Sequence, residues 1–340
     1  VNLLSEKRFD ELTGKMATLE PILVVGDVGL DKYTQGEVRR ISPEAPVPVI
    51  EVTREWLKLG LSANISHNLK TLGVNSTLCG VIGEDHHAGS FEHLLEDQGL
   101  STWGLVRSNR RPTIFKERVT TATQQICRID YESTEALDET EASKVLERVK
   151  EFSAKSSAMI LEDYAKGTLS EGVLRDSIAE AKSKNLLVAV DPGRTTPPLW
   201  YKGASLLKPN KLEAGMMVES LGHGYKKLNM EQIATILVEA LDLEKIVITL
   251  GKDGMALLDT KGDGKLHQIP TAASEVFDVS GAGDTAISLL IAALGAGANL
   301  SEAAWIANCG AGVVVGKVGT ATVDQKELRR FYLKLNDTLL

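Results

Sequence analysis

Asp278-Val279-Ser280-Gly281-Ala282-Gly283-Asp284-Thr285 closes a polar stretch and opens an apolar one, Ala286-Ile287-Ser288-Leu289-Leu290-Ile291-Ala292-Ala293-Leu294. Gly281 and Gly283 flank Ala282, so the backbone can turn sharply and approach a ligand closely. The amides that begin the following helix are unpaired and carry partial positive charge, which suits an anion. Asp284 falls in that first turn, a carboxylate beside an anion site. Alone, the pattern reads as a capped core helix. Its meaning depends on whether other parts of the chain serve the same chemistry.

The 340 residues can bury a large core, as one α/β domain or two smaller ones. Hydrophobic content of 43% and charged content of 25% are those of an ordinary globular chain. A net charge of −8 argues against a general nucleic-acid binder, while leaving room for a local basic pocket. Cys79, Cys127 and Cys309 are odd in number and widely spaced, with no CxxC pair, as expected of reduced thiols in a reducing compartment. Residues 1–20 carry charges throughout and hold no apolar signal core, and the apolar segment at 286–298 is too short to span a bilayer. The expectation is a cytoplasmic protein with neither membrane nor nucleic-acid partner.

Residues 5–19 read as an amphipathic helix before a buried strand, Ile22-Leu23-Val24-Val25. That strand runs into Gly26-Asp27-Val28-Gly29-Leu30-Asp31, with two carboxylates just past its C-terminal end, where open α/β sheets bind ligands. Asp27 reads equally as a helix cap, and Asp31 as a partner for ligand hydroxyls. Residues 33–53 break the α/β pattern: Pro43, Pro46 and Pro48 precede an alternating run, which suits an edge ribbon standing off the main sheet. A second ribbon falls at 112–131, and the two together predict a small β-sheet lid that excludes water on closing. From residue 138 onward, short apolar strands alternate with helices, which predicts a mostly parallel sheet covered on both faces. No repeat or long linker interrupts residues 1–340, so one domain with an inserted lid is expected.

Several of these strands end in polar turns: Glu162-Asp163-Tyr164-Ala165-Lys166-Gly167, Asp191-Pro192-Gly193-Arg194, Lys208-Pro209-Asn210-Lys211-Leu212-Glu213 and Thr249-Leu250-Gly251-Lys252-Asp253-Gly254. A parallel sheet brings such turns to one edge. The glycines of the last turn allow close approach to a nucleotide, though a plain hairpin turn reads as well. Asn210 and Glu213 share one side of a helical first turn; the pair suits a capping box, or a hydrated Mg²⁺ near phosphates. There is no Walker A: Gly316-Lys317 has the wrong spacing and no following Ser or Thr. His86-His87 reads as an exposed loop pair.

Taken together, these residues resemble the ribokinase (PfkB) family of carbohydrate kinases over nearly the whole chain. The run 278–284 is similar to the family's DTxGAGD signature, with Val279 and Ser280 in its variable or Thr-like places; 210–213 matches NxxE and 249–254 the nucleotide loop. Ile41-Ser42-Pro43-Glu44-Ala45-Pro46-Val47-Pro48-Val49, Gln124-Gln125 before Arg128-Ile129-Asp130, Asp163-Tyr164-Ala165-Lys166-Gly167 and 316–322 look more narrowly like the D-glycero-D-manno-heptose-7-phosphate kinases of lipopolysaccharide core synthesis. In that group the kinase is sometimes fused to an adenylyltransferase, and this chain would be the kinase part alone. One position departs. Leu61 stands where the family has a glycine against the sugar, and its branched side chain reshapes that pocket.

The resemblance implies a three-layer α/β/α fold with a mostly parallel central sheet and a small β-sheet lid. It implies ATP and Mg²⁺, with Asp284 as base and Gly281, Ala282 and Gly283 framing the anion hole. Asn210, Glu213, Thr249, Gly251, Gly254 and Asn308 would serve the nucleotide, with Asn210 and Glu213 reaching the metal through water. Asp31, Gly60 and Asn64 would read the sugar, and Lys116, Arg118, Lys166 and Arg194 are the cations for its phosphate. The lid edge would pair two copies into a homodimer. Two rivals stay open: a kinase of the same fold for another sugar, sugar phosphate or nucleoside, and a non-catalytic sensor, to which a base would be useless.

Overall fold

Successive residues of a strand point to opposite faces, and the first strand shows the consequence. Ile22 and Val24 join one apolar core, Leu23 and Val25 another. The computed structural model describes residues 4–273, 276–317, 319 and 321–339. In chain order its elements are α1 (Glu6–Met16), β1 (Ile22–Gly26), β2 (Val28–Ile41), β3 (Pro48–Leu61), α2 (Ser62–Thr71), β4 (Ser76–Gly83), α3 (His86–Asp97), β5 (Leu105–Ser108), β6 (Ile114–Thr120) and β7 (Gln125–Tyr131). There follow α4 (Glu139–Ser153), β8 (Ala158–Glu162), α5 (Glu171–Ser183), β9 (Leu187–Asp191), β10 (Leu206–Leu207), α6 (Lys211–Ser220), α7 (Met230–Leu241), β11 (Lys245–Thr249), β12 (Met255–Asp259), β13 (Leu266–Ile269), α8 (Ala282–Gly295), α9 (Leu300–Val314) and α10 (Gln325–Leu339).

A nine-stranded sheet has the order β13-β12-β11-β10-β9-β8-β1-β4-β5. Its strands from β11 to β5 pair in parallel, and β12 and β13 continue it antiparallel at one edge. Side chains from α1, α2, α3, α8, α9 and α10 fill one face, including Phe9, Ile65, Phe91, Ile287, Trp305 and Tyr332. Those from α4, α5, α6 and α7 fill the other, including Val145, Val173, Val218 and Leu237. The architecture is the three-layer α/β fold expected from the sequence, with the sheet between two layers of helices. Among the described residues no helix is long and apolar enough to cross a membrane.

A four-stranded sheet of order β3-β2-β6-β7 stands apart from the first. Its ribbon starts at Val28, directly after Asp27, so Asp31 lies inside β2 opposite Lys58 rather than in a strand-end loop. β3, which begins at Pro48, is an edge strand, a place where a leading proline is tolerated. His86 and His87 open α3 instead of forming a loop, because Asp85 caps that helix by accepting the amide of Ala88 at 2.9 Å. His87 is half-buried, stacked on Phe115 with ring centroids 3.9 Å apart. In the stretch 316–322, Val318 and Thr320 lie outside the described residues.

Candidate active site

The C-terminal ends of β8, β9, β10 and β11 open on one cleft of about 1120 Å³ whose wall includes Lys166, Arg194, Asn210, Glu213, Gly283 and Asp284. The first turn of α8 points into it. Gly281 precedes that helix at φ 78, a left-handed value that suits glycine, and no side chain caps the turn. Of the amides expected to be unpaired at the start of this helix, that of Ala282 is engaged by the Val279 carbonyl at 3.2 Å. The cradle therefore narrows to Gly283 and Asp284.

Asp284 is buried, and both its carboxylate oxygens accept hydrogen bonds: Asn64 Nδ2 donates to Oδ2 at 2.6 Å and Tyr164 Oη to Oδ1 at 2.9 Å. Burial raises its pKa above the ordinary aspartate value; those two donors work against the rise, and Asp191 adds to it. Thr285 on the same helix donates to Asn68 Oδ1 at 2.8 Å and Ser288 to the Ile65 carbonyl at 3.4 Å, so α8 is tied to α2 behind the carboxylate.

Lys208 is buried and paired with Asp191 at 2.6 Å. Burial opposes its charge, yet Asp191 and Glu162 outweigh that and hold its pKa above the ordinary lysine value. A Cβ on Gly283 would stand 3.7 Å from Lys208 Nζ, which places this cation beside the α8 N-terminus. Glu162 ends β8 in the same cluster, and its Oε2 has no hydrogen-bond partner among the described residues. Burial, Asp191 and Asp284 push its pKa well above the ordinary glutamate value. The sequence marked 162, 191 and 208 only as polar strand ends; it carried no signal that they pack against one another.

Asn210 and Glu213 form a capping box on α6: Asn210 Oδ1 accepts the amides of Leu212 and Glu213 at 2.9 and 3.0 Å, and Glu213 Oε2 accepts that of Asn210 at 2.9 Å. Both residues also face the cleft, so capping and binding are not alternatives here. A backbone bridge between Asn210 and Thr249 joins this turn to the C-terminal end of β11. Among the described residues no group of three His, Cys, Asp or Glu side chains is arranged to hold a metal directly. One amide and one carboxylate in the cleft wall fit instead a hydrated Mg²⁺ carried by phosphates.

Thr249, Gly251, Gly254, Ala282, Gly283 and Asn308 line an adjoining cavity of about 380 Å³, whose remaining wall is apolar except for Lys252 and Thr271. Gly254 has φ 88, and a Cβ there would lie 2.0 Å from the Ile269 carbonyl oxygen, so only glycine fits. Asn308 is neither a surface residue nor free to turn toward a ligand: its amide accepts from Ala272 N at 3.2 Å and donates to the Pro270 carbonyl at 2.7 Å.

On the opposite side of Asp284, Asp31 pairs with Arg118 at 2.5 Å, and Gly60 packs against the Asp31 carboxyl. Asn64 is in direct contact with Asp284. Lys116 and Lys166 both bond Glu132, Lys116 at 2.6 Å, while Arg194 is exposed on the cleft wall. Of the four expected phosphate cations, Lys166 and Arg194 thus line the main cleft; Arg118 is committed to Asp31, and Lys116 reaches the group only through Glu132. Asp27 caps no helix. It is fully buried and accepts the amides of Tyr164, Lys166 and Thr168 at 3.2, 3.0 and 3.1 Å. Leu61, in the glycine position of the family pattern, has φ 58.

The family model for pfkB family carbohydrate kinases matches residues 33–327. The chain belongs to that family. Among its relatives, the bifunctional protein HldE of Citrifermentans bemidjiense is 39% identical over 326 residues, covering 95% of this chain and 65% of that protein. The protein of the same name from Desulfatibacillum aliphaticivorans is 41% identical over 309 residues, covering 91% and 62%. The chain therefore spans less than two thirds of the length of these relatives. Arabidopsis thaliana ribokinase complexed with ribose and ATP superposes with a TM-score of 0.69 at 22% identity, over 92% of this chain and 98% of that one. Escherichia coli phosphofructokinase-2 in complex with potassium gives 0.74 at 18%, over 94% and 99%. At these identities the likeness is one of fold. This pfkB-family carbohydrate kinase carries its GAGD turn where the sheet's polar strand ends converge.

Proposed function

We propose that the chain transfers the γ-phosphoryl group of ATP to the C1 hydroxyl of D-glycero-D-manno-heptose 7-phosphate, giving the 1,7-bisphosphate. The supporting observation is the place of Asp284, a buried carboxylate at the uncapped start of α8, between the main cleft and the sugar-side residues. The sugar oxygen bonds to the γ-phosphorus as the bond to the ADP oxygen breaks, and Asp284 takes the hydroxyl proton. The amides of Gly283 and Asp284, with Lys208 alongside, stabilise the charge on the transferred group. Mg²⁺ neutralises phosphate charge when bound, and Asn210 and Glu213 hold its waters. The adenosine end occupies the cavity lined by Gly251, Gly254 and Asn308.

Asp31, Gly60 and Asn64 read the sugar, and Lys166 and Arg194, with Lys116 and Arg118 behind them, meet its phosphate. The heptose assignment draws on the signatures at 41–49, 124–130 and 163–167 and on the similarity to HldE proteins. Residues 1–340 act as a single kinase domain in the cytoplasm, with β2, β3, β6 and β7 as the lid. Val38, Ile41, Val52 and Ile129 leave apolar surface exposed on that lid, which supports a homodimer formed through it. Leu61, at a backbone conformation that glycine holds more easily, favours a second reading in which the acceptor is another sugar phosphate.

ADP release with Mg·ATP against heptose 7-phosphate, fructose 6-phosphate, sedoheptulose 7-phosphate, ribose and a nucleoside tests the assignment. Turnover confined to heptose 7-phosphate is expected. Turnover on another of these sugars alone keeps the chemistry and replaces the substrate; nucleotide binding with no turnover on any favours a sensor.

A further inference from the structure

Tyr164 has no part in the chemistry proposed above, yet its hydroxyl sits on Asp284 Oδ1 at 2.9 Å. The loop that carries it is anchored on both sides. Asp27 accepts the amides of Tyr164, Lys166 and Thr168. Asp163 accepts the amide of Ala165 at 2.7 Å through one oxygen, and the hydroxyls of Thr196 and Tyr201 at 2.7 and 2.6 Å through the other. Arg111 donates to the carbonyls of Lys166, Ser133 and Glu135. Between these anchors Ala165 is held at φ 55, a conformation that costs a non-glycine residue on the order of 1 kcal/mol. A connection from β8 to α5 needs none of this. The common result is a fixed backbone from which the Tyr164 ring reaches the carboxylate.

We infer that Tyr164 is a positioning residue: its hydroxyl orients the Asp284 carboxylate and stabilises the charged form that accepts the substrate proton. The inference rests on Asp284 being the base. Asp284 faces Glu162 from β8, Asp191 from β9, and Lys208, whose ammonium is paired with Asp191; α2 presents the neutral Asn64. Burial and the Asp191 carboxylate, against the nearby Lys208, favour the neutral acid, which cannot take up a proton. Hydrogen bonds to the ionised form oppose that preference. A carboxylate oxygen has room for two hydrogen bonds, so Oδ1 keeps Tyr164 while the acceptor hydroxyl approaches. The proton passes from the sugar oxygen to Asp284, and Tyr164 retains its own, because burial and Asp284 hold its phenol well above the ordinary value.

The test is the pH dependence of kcat and kcat/KM, with Mg·ATP and the acceptor sugar that the panel identifies, for the wild type, Tyr164→Phe and Asp284→Asn. Tyr164→Phe is expected to lower kcat by roughly ten- to a hundredfold. It should also move the acid limb of kcat/KM to higher pH, because the carboxylate protonates more readily without its donor. Placing 3-fluorotyrosine at position 164 keeps the shape with a stronger donor, and the limb should move to lower pH. A Tyr164→Phe enzyme with lowered thermal stability but an unmoved limb, or an unmoved limb in the fluorinated protein, overturns the inference. An inactive Asp284→Asn beside unshifted tyrosine variants removes this inference alone. An Asp284→Asn enzyme at wild-type rate removes the base assignment and this inference with it.

Discussion

β1 and β8 are buried along their whole length, whereas β7 exposes every residue but Ile126, and β3 buries only Leu59 and Gly60. The nine-stranded sheet is thus held by apolar side chains on both faces, each contributing about 1.5–3 kcal/mol on burial. Beyond the buried Val28, Leu30, Leu59 and Phe115 at its base, the four-stranded sheet relies on its backbone ladder and on ion pairs such as Lys32–Glu55 at 2.7 Å and Arg39–Glu37 at 2.8 Å. Solvated pairs of this kind contribute ~1 kcal/mol or less. The contrast assigns the two sheets different work. In the proposed function, one is the frame that fixes α8 and the strand-end loops, and the other is the lid that closes over the substrate and pairs with a second copy.

Ile160→Ala in β8 attacks the frame directly. Ile160 is fully buried, and the substitution is expected to cost about 2–5 kcal/mol, read as a fall in the urea midpoint at unchanged slope. A loss below about 1 kcal/mol would mean the sheet is less tightly packed than its burial implies.

Glu162 sharpens the contrast from within the frame, because its folded-state pKa is raised well above 4.5. Below the unfolded value both states hold the proton. As pH rises past it the unfolded chain releases its proton first, so wild-type stability declines until the folded pKa is passed. Glu162→Gln lacks that decline. Its stability relative to wild type should therefore grow from pH 4 toward neutrality, measured by urea unfolding across that range; a constant difference would remove the raised carboxyl. The smallest effect belongs to the lid. Ile129 is 42% exposed, and Ile129→Ala should change stability by about 0.5 kcal/mol or less. A larger, concentration-dependent loss would show that a partner copy covers this face.

The frame was legible in the chain because buried strands leave continuous apolar runs such as Met159-Ile160-Leu161 between helical stretches. The GAGD turn, the NxxE pair and the 249–254 loop were legible because each needs particular residues at fixed spacing. β5 and β13 passed unnoticed, being short and weakly patterned, and β12 showed only through the hairpin reading of the 249–254 turn. Asp27 and Tyr164 were hidden for another reason. Their partners lie 137 and 120 residues away, and nothing in the local sequence encodes such a contact. Likewise Asp31 was read as lying just past the end of β1, because nothing in the local pattern marks β2 as beginning directly after Asp27.

The most direct test compares ADP release by the wild type and Asp284→Asn at saturating Mg·ATP and heptose 7-phosphate, with nucleotide binding and thermal unfolding measured alongside. Expected is a fall in kcat of about 10²–10⁴-fold with nucleotide still bound. The unfolding temperature should not drop, since a buried carboxyl with a raised pKa gives up stability at neutral pH. A variant retaining more than about a tenth of the wild-type kcat would contradict Asp284 as the base.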